Sequence, residues 1–246
     1  MNYLKISAAA IALISLLTGC TNVATFDYNA APGSVASFQE PGRAKKTVAV
    51  LPFMDQRTSG AVNPGEVGER GSFYLGFLPL MPFGYLIKGE PEKSDDFATL
   101  GRYHFDPVNE LANAAMVNLK GSNLFAQVVR ANNMEQPQTD YIWRSKLRDT
   151  SYRGNIYSYC ITYFLVPPLW IIGFPYGTSW NRLAVQFELV ERASGKVVWH
   201  YEFDREDSIT HWIYARIGKD VSMYPLLMKL AMNQALNDLS GKVPLK

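Results

Sequence analysis

Three histidines are the residues of this chain whose type most readily supports metal binding or acid–base catalysis. Metal-binding histidines usually recur at a fixed spacing, but His104, His200 and His211 form no His-x-x-x-His pair. Cys-x-x-Cys pairs, Gly-x-Ser-x-Gly elbows, phosphate-binding loops and dinucleotide fingerprints are also absent from the sequence. His200 follows Trp199 and is interpreted as a sheet-face residue, whereas His211-Trp212 fits a surface turn equally well. We therefore expect no enzyme activity, no cofactor and no metal centre.

Two charged clusters could also support chemistry, and both have a simpler structural interpretation. Asp55 and Arg57 directly follow an apolar strand, and we expect a local ion pair at the strand exit rather than a catalytic role. Four acidic residues that could hold a cation are interpreted instead as a solvated strand end: Glu202, Asp204, Glu206 and Asp207.

One cysteine has the sequence context for a covalent modification. Leu17-Thr18-Gly19-Cys20 closes the uncharged run 6–17, which follows the single basic residue Lys5. The run is shorter than the roughly 20 residues that span a bilayer as a helix, and it fits the core of a secretory signal. A small residue directly before a cysteine resembles the lipobox of bacterial lipoproteins. It predicts a signal peptide over 1–19 and acyl chains, palmitate among them, on Cys20; plain secretion is the alternative.

The residues after Cys20 indicate where the chain is anchored. An aspartate at the next position resembles the inner-membrane retention signal of enterobacterial lipoproteins, and Thr21 stands there instead. That implies an outer-membrane anchor with the domain facing the periplasm. Each acyl chain contributes about 0.8 kcal/mol per buried methylene, so several chains anchor stably. Residues 20–46 are rich in Ala, Pro, Gly and Ser, which predicts a flexible tether.

Charge and cysteine content limit the possible partners. The formal net charge is +2, and such a near balance argues against a nucleic-acid binder, which shows a basic patch or stripe. Cys20 and Cys160 are the only cysteines, so acylation of Cys20 leaves no intrachain disulfide. Cys160 lies in an apolar run, where cysteine behaves as a small hydrophobe.

The apolar periodicity predicts one α+β domain over residues 47–246. We expect a mixed, mainly antiparallel sheet of about five strands with two helices on one face. Asp106 and Pro107 are suited to begin the first helix, and Gly121 to end it. The predicted strands cover about 47–53, 124–129, 141–149, 183–189 and 197–203, and the predicted helices about 107–120 and 225–239, with a hairpin turn at 192–196.

Two charge-free segments interrupt this pattern, at about 71–87 and 154–181. Loops of water-soluble domains lie on the surface and are usually polar, whereas large exposed apolar patches mark interaction sites. Both segments share aromatic residues, a proline break and a glycine, and we expect them to pack into one apolar lobe. The candidate membrane- or partner-contact residues are Phe77, Leu78, Leu80, Phe83, Phe164, Leu165, Val166, Leu169, Trp170, Ile171, Ile172 and Phe174.

Three conformations of the second segment remain open from the sequence. A transmembrane helix is disfavoured by Pro167-Pro168 near its centre, since an interior proline costs about 3 kcal/mol. A lobe folded back onto the first segment is the second possibility. A hairpin or short-helix pair that dips into a membrane or packs on a neighbouring subunit is the third. Flanking aromatics resemble an interfacial belt: Tyr157, Tyr159, Tyr176 and Trp180.

Several short motifs resemble envelope lipoproteins related to the curli-secretion protein CsgG and to the N-terminal domain of TolB. The strand Val48–Phe53 with Asp55 and Arg57 is similar to the opening of these proteins. In CsgG-like proteins the segment after the third strand enters the membrane as strands; the apolar segment here has a similar place but is rich in proline. The resemblance covers about 47–240, through Leu111–Leu119, Leu124-Phe125, Thr139–Ile142 and Ser194–Val197.

These features together favour an outer-membrane lipoprotein without catalytic activity. We expect a subunit or accessory of an envelope secretion, export or assembly complex, bound to the bilayer through acylated Cys20. The expected partners are further copies of the chain or another envelope protein, and not nucleic acid. The alternative is a module that encloses a lipid or another hydrophobic ligand between its two apolar segments.

Overall fold

Alternating and continuous apolar runs form the strands and helices of the domain. The computed structural model describes residues 24–28, 37–38, 46–58, 86–89, 93–94, 103–133, 138–157, 159, 166–215 and 221–243. The helices in these ranges are α1 (Pro107–Ser122), α2 (Val166–Ile171) and α3 (Met223–Lys242). The strands are β1 (Ala24–Thr25), β2 (Thr47–Val50), β3 (Met54–Asp55), β4 (Leu86–Gly89), β5 (Lys93–Ser94), β6 (Tyr103–His104), β7 (Gln127–Arg130), β8 (Tyr141–Asp149), β9 (Tyr152–Ile156), β10 (Gly177–Glu191) and β11 (Val197–His211).

The main sheet of the described residues has eight strands around the long strand β10. Its path runs β4-β9-β10-β8-β2-β7, while β11 pairs with β10 and β3 pairs with β8. One edge of β10 pairs first with β9 and then with β8, and its other edge pairs with β11. The predicted α+β class with a mixed sheet is confirmed. The strand number exceeds the predicted five, because the ends of the apolar segments join the sheet.

The centre of the sheet fixes the direction of the other strands. β2 is parallel to both β7 and β8, and Val48, Ala49 and Val50 are fully buried, as expected for a strand covered on both faces. β2 and β8 therefore end at the same edge of the sheet, which we call the upper edge. β10 is antiparallel to β8 and begins there, and β11 ends there. The hairpin at 192–196 lies at the opposite, lower edge.

Both long helices pack on one face of the sheet, as predicted. The Oδ1 atom of Asp106 accepts a hydrogen bond from the backbone N–H of Asn109 at 3.2 Å, so it caps α1. The helix continues past Gly121 and ends where Asn123 adopts a left-handed φ of 58°. The predicted end was therefore two residues early. The predicted buried face of α3 is confirmed: Met228, Ala231, Met232, Ala235 and Leu239 are fully buried.

The other face of the sheet carries a ladder of charged side chains. Glu188 lies between Arg144 and Lys146, with a nitrogen–oxygen distance of 2.5 Å to each. Burial would raise the pKa of Glu188, but the hydrogen bonds from Lys146 and Arg144 outweigh it and lower the pKa. The predicted division of β8 into an apolar and a charged face is thereby confirmed, because Trp143 and Leu147 are fully buried on the helix side.

Candidate functional site

The second charge-free segment, 154–181, contributes to the sheet at both of its ends. Ile156 through Tyr152 pair with Gly177 through Asn181, so β9 and the start of β10 form a hairpin-like ladder. This differs from the loop expected over 154–181. The first segment approaches it as expected: in β4, Leu86 is paired with Asn155 and Gly89 with Tyr152. The backbones of the two segments are thus neighbours, and residues 71–85 lie outside the described part of the chain.

Between β9 and β10 the chain forms a small structure that we call the apolar tip, namely residues 166–176 with Tyr157 and Tyr159. The indole Nε1 of Trp170 donates a hydrogen bond to the carbonyl of Tyr157 at 3.1 Å. Gly173 adopts a φ of +108°, which reverses the chain after α2. The backbone N–H of Phe174 then donates to the carbonyl of Leu169 at 3.1 Å, so the tip folds back on its own short helix.

Aromatic contacts connect the tip to the end of the sheet. The ring of Tyr159 lies 5.4 Å from that of Phe174, and the ring of Trp170 lies 5.9 Å from that of Tyr176. The Tyr159 hydroxyl donates to the carbonyl of Pro175. Burial, with a smaller contribution from Tyr157, raises the pKa of Tyr159 to about 12. The phenol therefore remains a hydrogen-bond donor throughout the physiological pH range.

His211 and Ser179 form a buried polar pair beneath the tip. Both residues are fully buried, and the Nε2 atom of His211 lies 2.6 Å from the Oγ atom of Ser179. The surface turn considered for His211 is therefore wrong, because β11 extends to this residue. Charged Arg205 and Asp207 interrupt the apolar alternation of β11, which is why the sequence predicted an earlier end. The pair joins the start of β10 to the end of β11 beneath the tip.

Two of the predicted contact residues are strongly exposed at the tip. Ile171 and Ile172 retain 58% and 70% of their accessible surface, whereas Leu169, Trp170 and Phe174 are half-buried. Tyr214, exposed at 66% and three residues after His211, was not predicted. The pair His211-Trp212 was the sequence signal nearest to this turn. For Val166 only the backbone is described, and Cys20, Phe77, Leu78, Leu80, Phe83, Phe164 and Leu165 lie outside the described residues.

The segment before β2 contacts the helices, although 20–46 was predicted to be a flexible tether. β1 pairs with β6, and the ring of Phe26 stacks on Phe105 with 5.0 Å between centroids. Farther along, the backbone N–H of Phe38 donates to the carbonyl of Ser122 at 3.0 Å. We call residues 24–28 the strap. Residues 20–23, 29–36 and 39–45 lie outside the described part of the chain.

The strap begins at the upper edge of the sheet. Phe105 stacks on Tyr224 with 5.0 Å between centroids, and the Tyr224 hydroxyl donates to the carbonyl of Thr150 at 2.9 Å. Thr150 lies between β8 and β9, directly below the hairpin that supports the tip. Since Ser122 ends α1 at the lower edge, Phe38 lies at the edge opposite to the start of the strap. Cys20 precedes Ala24 by four residues, which can span at most about 14 Å.

Asp55 and three of the four acidic residues of β11 form ion pairs with arginines. Arg57 and Asp55 form the expected pair at 2.7 Å. In the acidic stretch, Asp204 pairs with Arg182 at 2.7 Å. Glu206 pairs with Arg153, and Asp207 approaches Arg205. Among the described residues, no three His, Cys, Asp or Glu side chains are grouped so that they could hold a metal ion. For His104 only the backbone is described, and Cys160 lies outside the described residues.

A cleft of about 570 Å³ lies far from the tip, at the lower edge of the sheet. The carboxylate of Asp140 accepts hydrogen bonds there from the backbone N–H and the hydroxyl of Thr47, at 2.8 and 3.0 Å. These bonds hold together the starts of β2 and β8. The lining is mostly polar: Lys46, Thr47, Gln138, Thr139, Asp140, Tyr141, Glu191, Arg192 and Ala193.

No helix in the described ranges is both long and apolar enough to cross a membrane.

No family model and no curated protein match the sequence. Solved structures with a similar chain path include protein XCC0632 from Xanthomonas campestris (9% identity, TM-score 0.41, 90% of this chain and 93% of that one). A second is a PelC dodecamer from Paraburkholderia phytofirmans (12% identity, TM-score 0.36, 85% of this chain and 92% of that one). A third is a putative neuraminyllactose-binding hemagglutinin homolog from Helicobacter pylori (8% identity, TM-score 0.37, 89% of this chain and 92% of that one). Because these TM-scores are all below 0.5, no functional conclusion follows from them.

Proposed function

We propose that this chain is an outer-membrane lipoprotein, acylated at Cys20, that serves as a non-catalytic subunit or accessory of an envelope secretion, export or assembly complex. The resemblance to CsgG- and TolB-related lipoproteins belongs to the same proposal. The observation that carries it is the strap, whose first residues dock at the upper edge of the sheet. A lipid anchor four residues before Ala24 would hold the domain close to the membrane with that edge toward it.

The charge distribution of the domain supports a binding role rather than catalysis. Acidic residues of β11 are paired with arginines, and the buried carboxylate of Glu188 is held by two cations. Such cross-strand pairs stabilise the sheet. The exposed isoleucines of the tip are instead suited to contact lipid, another copy of the chain or an envelope partner.

The anchor is tested by expressing the full chain in a Gram-negative bacterium that is fed labelled palmitate. We expect a mature chain that begins at Cys20, carries acyl groups by mass spectrometry and sediments with outer membranes. The Cys20→Ala chain is the control and should incorporate no label. A wild-type chain that is cleaved elsewhere, or is released without acyl groups, would refute the proposal.

The assembly is tested on the acylated protein after extraction in mild detergent. Native mass spectrometry should give a discrete oligomer or a complex with an envelope protein. A monomer with one tightly bound lipid in defined stoichiometry would instead support the ligand-binding alternative.

A further inference from the structure

The apolar tip and the strap lie at the same end of the molecule, although they are far apart in the sequence. The described residues 166–176 and 208–215 contain no Asp, Glu, Lys or Arg. This end exposes Ile171, Ile172 and Tyr214, a mixture of aliphatic and aromatic side chains that is typical of the boundary between lipid and water. Exposed charged side chains lie farther down β11, in the ladder around Asp204.

We propose that Ile171 and Ile172 insert into the lipid surface that holds the acyl chains of Cys20, so that the domain contacts the membrane twice. The inference rests on the proposed anchor and adds to it a defined orientation, with the upper edge of the sheet against the bilayer. Ala24 lies at most about 14 Å from Cys20, and the strap and the tip share the upper edge of the sheet, so the proposed anchor turns the tip toward the lipid surface. Insertion of the tip then becomes an intramolecular step, so the tip itself requires only a low affinity for lipid.

The small size of the tip favours lipid over a second copy of the chain. Among the described residues, the strongly exposed large apolar side chains of this end are Ile171, Ile172 and Tyr214, and even an aromatic side chain, which is larger than isoleucine, buries only about 150–250 Å². Together they fall short of the roughly 800 Å² per partner that a stable protein interface buries. Interfacial insertion has no such minimum, because its free energy grows with each buried methylene.

Lipid contact is tested on the acylated full chain in vesicles of phosphatidylethanolamine and phosphatidylglycerol. Ile172→Cys and Val198→Cys, each in a Cys160→Ser background, are labelled with an environment-sensitive fluorophore. Val198 is the matched control, since it is 40% exposed and lies in β11 at the lower edge. We expect a quencher on the lipid acyl chains to quench the label at position 172 several-fold more than the label at 198. Equal quenching at both positions, or shielding of 172 from both lipid-borne and aqueous quenchers, would overturn the proposal.

A second variant measures how much the tip strengthens attachment. Ile171→Asp combined with Ile172→Asp should speed transfer of the acylated protein between vesicles by about tenfold or more. Val197→Asp combined with Val198→Asp should leave the transfer rate unchanged. The melting temperature of the tip variant should match that of wild type; a large drop would show that the chain itself covers the tip, and would refute lipid contact. Acylation is read separately, from the mass of the mature chain, so failure of the anchor is distinguishable from failure of the tip.

Discussion

Replacing Phe26 by alanine should destabilise the domain measurably, although this residue lies in a segment whose composition is typical of a linker. The Phe26 ring is half-buried, stacks on Phe105 at 5.0 Å and lies 5.9 Å from the ring of Tyr28. A Phe→Ala change at a fully buried position lowers the free energy of unfolding by about 3–5 kcal/mol. A stacked aromatic pair contributes about 0.5–1.5 kcal/mol beyond the effect of the surface area that it buries. For a half-buried ring we expect a loss of about 2 kcal/mol in the free energy of unfolding.

Urea unfolding of the non-acylated chain, followed by tryptophan fluorescence, measures this loss. Because m is about 1–3 kcal/mol/M for urea, a loss of about 2 kcal/mol lowers the midpoint by roughly 1 M. The matched control is Val117→Ala, which removes apolar atoms from an exposed position of α1 (39%) and should change stability by less than about 0.5 kcal/mol. A Phe26→Ala midpoint equal to that of wild type would show that the strap is not docked, and the orientation of the anchor would then have no support.

Three further changes test other parts of the structure. Glu188→Gln should lower stability at neutral pH by about 1–3 kcal/mol, because Arg144 and Lys146 lose their charged acceptor. The folded state lowers the pKa of Glu188, so its contribution is present above the ordinary glutamate pKa and disappears as pH falls through the folded-state pKa; urea midpoints of variant and wild type should converge in acid. Gly173→Ala should strain the turn after α2 by about 1–3 kcal/mol and speed amide hydrogen exchange at Phe174 without unfolding the sheet. Tyr159→Phe should cost about 1 kcal/mol, equally at pH 6 and pH 9 in thermal unfolding, since a pKa of about 12 keeps the phenol protonated across that range.

Elements with unbroken periodicity could be predicted from the sequence, and those stabilised by polar cross-strand contacts could not. β8 has the predicted bounds, Tyr141–Asp149, because apolar and charged residues alternate without interruption. β11 continues eight residues beyond the last predicted apolar position. Its second half carries Asp204 and Glu206, whose pairing with arginines on neighbouring strands is invisible in one strand read alone. The bounds of a paired strand therefore depend on its neighbours.

The strap was missed for a different physical reason. Its aromatic residues, Phe26 and Tyr28, are separated by one position among small and turn-forming residues, so they give no helical or strand period. Their partners Phe105 and Asn118 lie about 80 to 90 residues away in the sequence. Long-range contacts of this kind arise from the tertiary fold. The composition of residues 20–46 indicated only turns in that segment.

The charge-free segment at 154–181 combines two requirements that hydropathy cannot separate. At its ends, residues 154–156 and 177–181 pair within the sheet, and Thr178, Ser179 and Asn181 are buried there. In its middle, Ile171 and Ile172 are uncharged but exposed, which nothing in the fold of the described residues requires. An exposed aliphatic pair on a short helix is unfavourably hydrated in water. The exposed pair is therefore the part of the segment that points to an external contact, and under the proposed anchor at Cys20 the membrane is the apolar phase that it would meet.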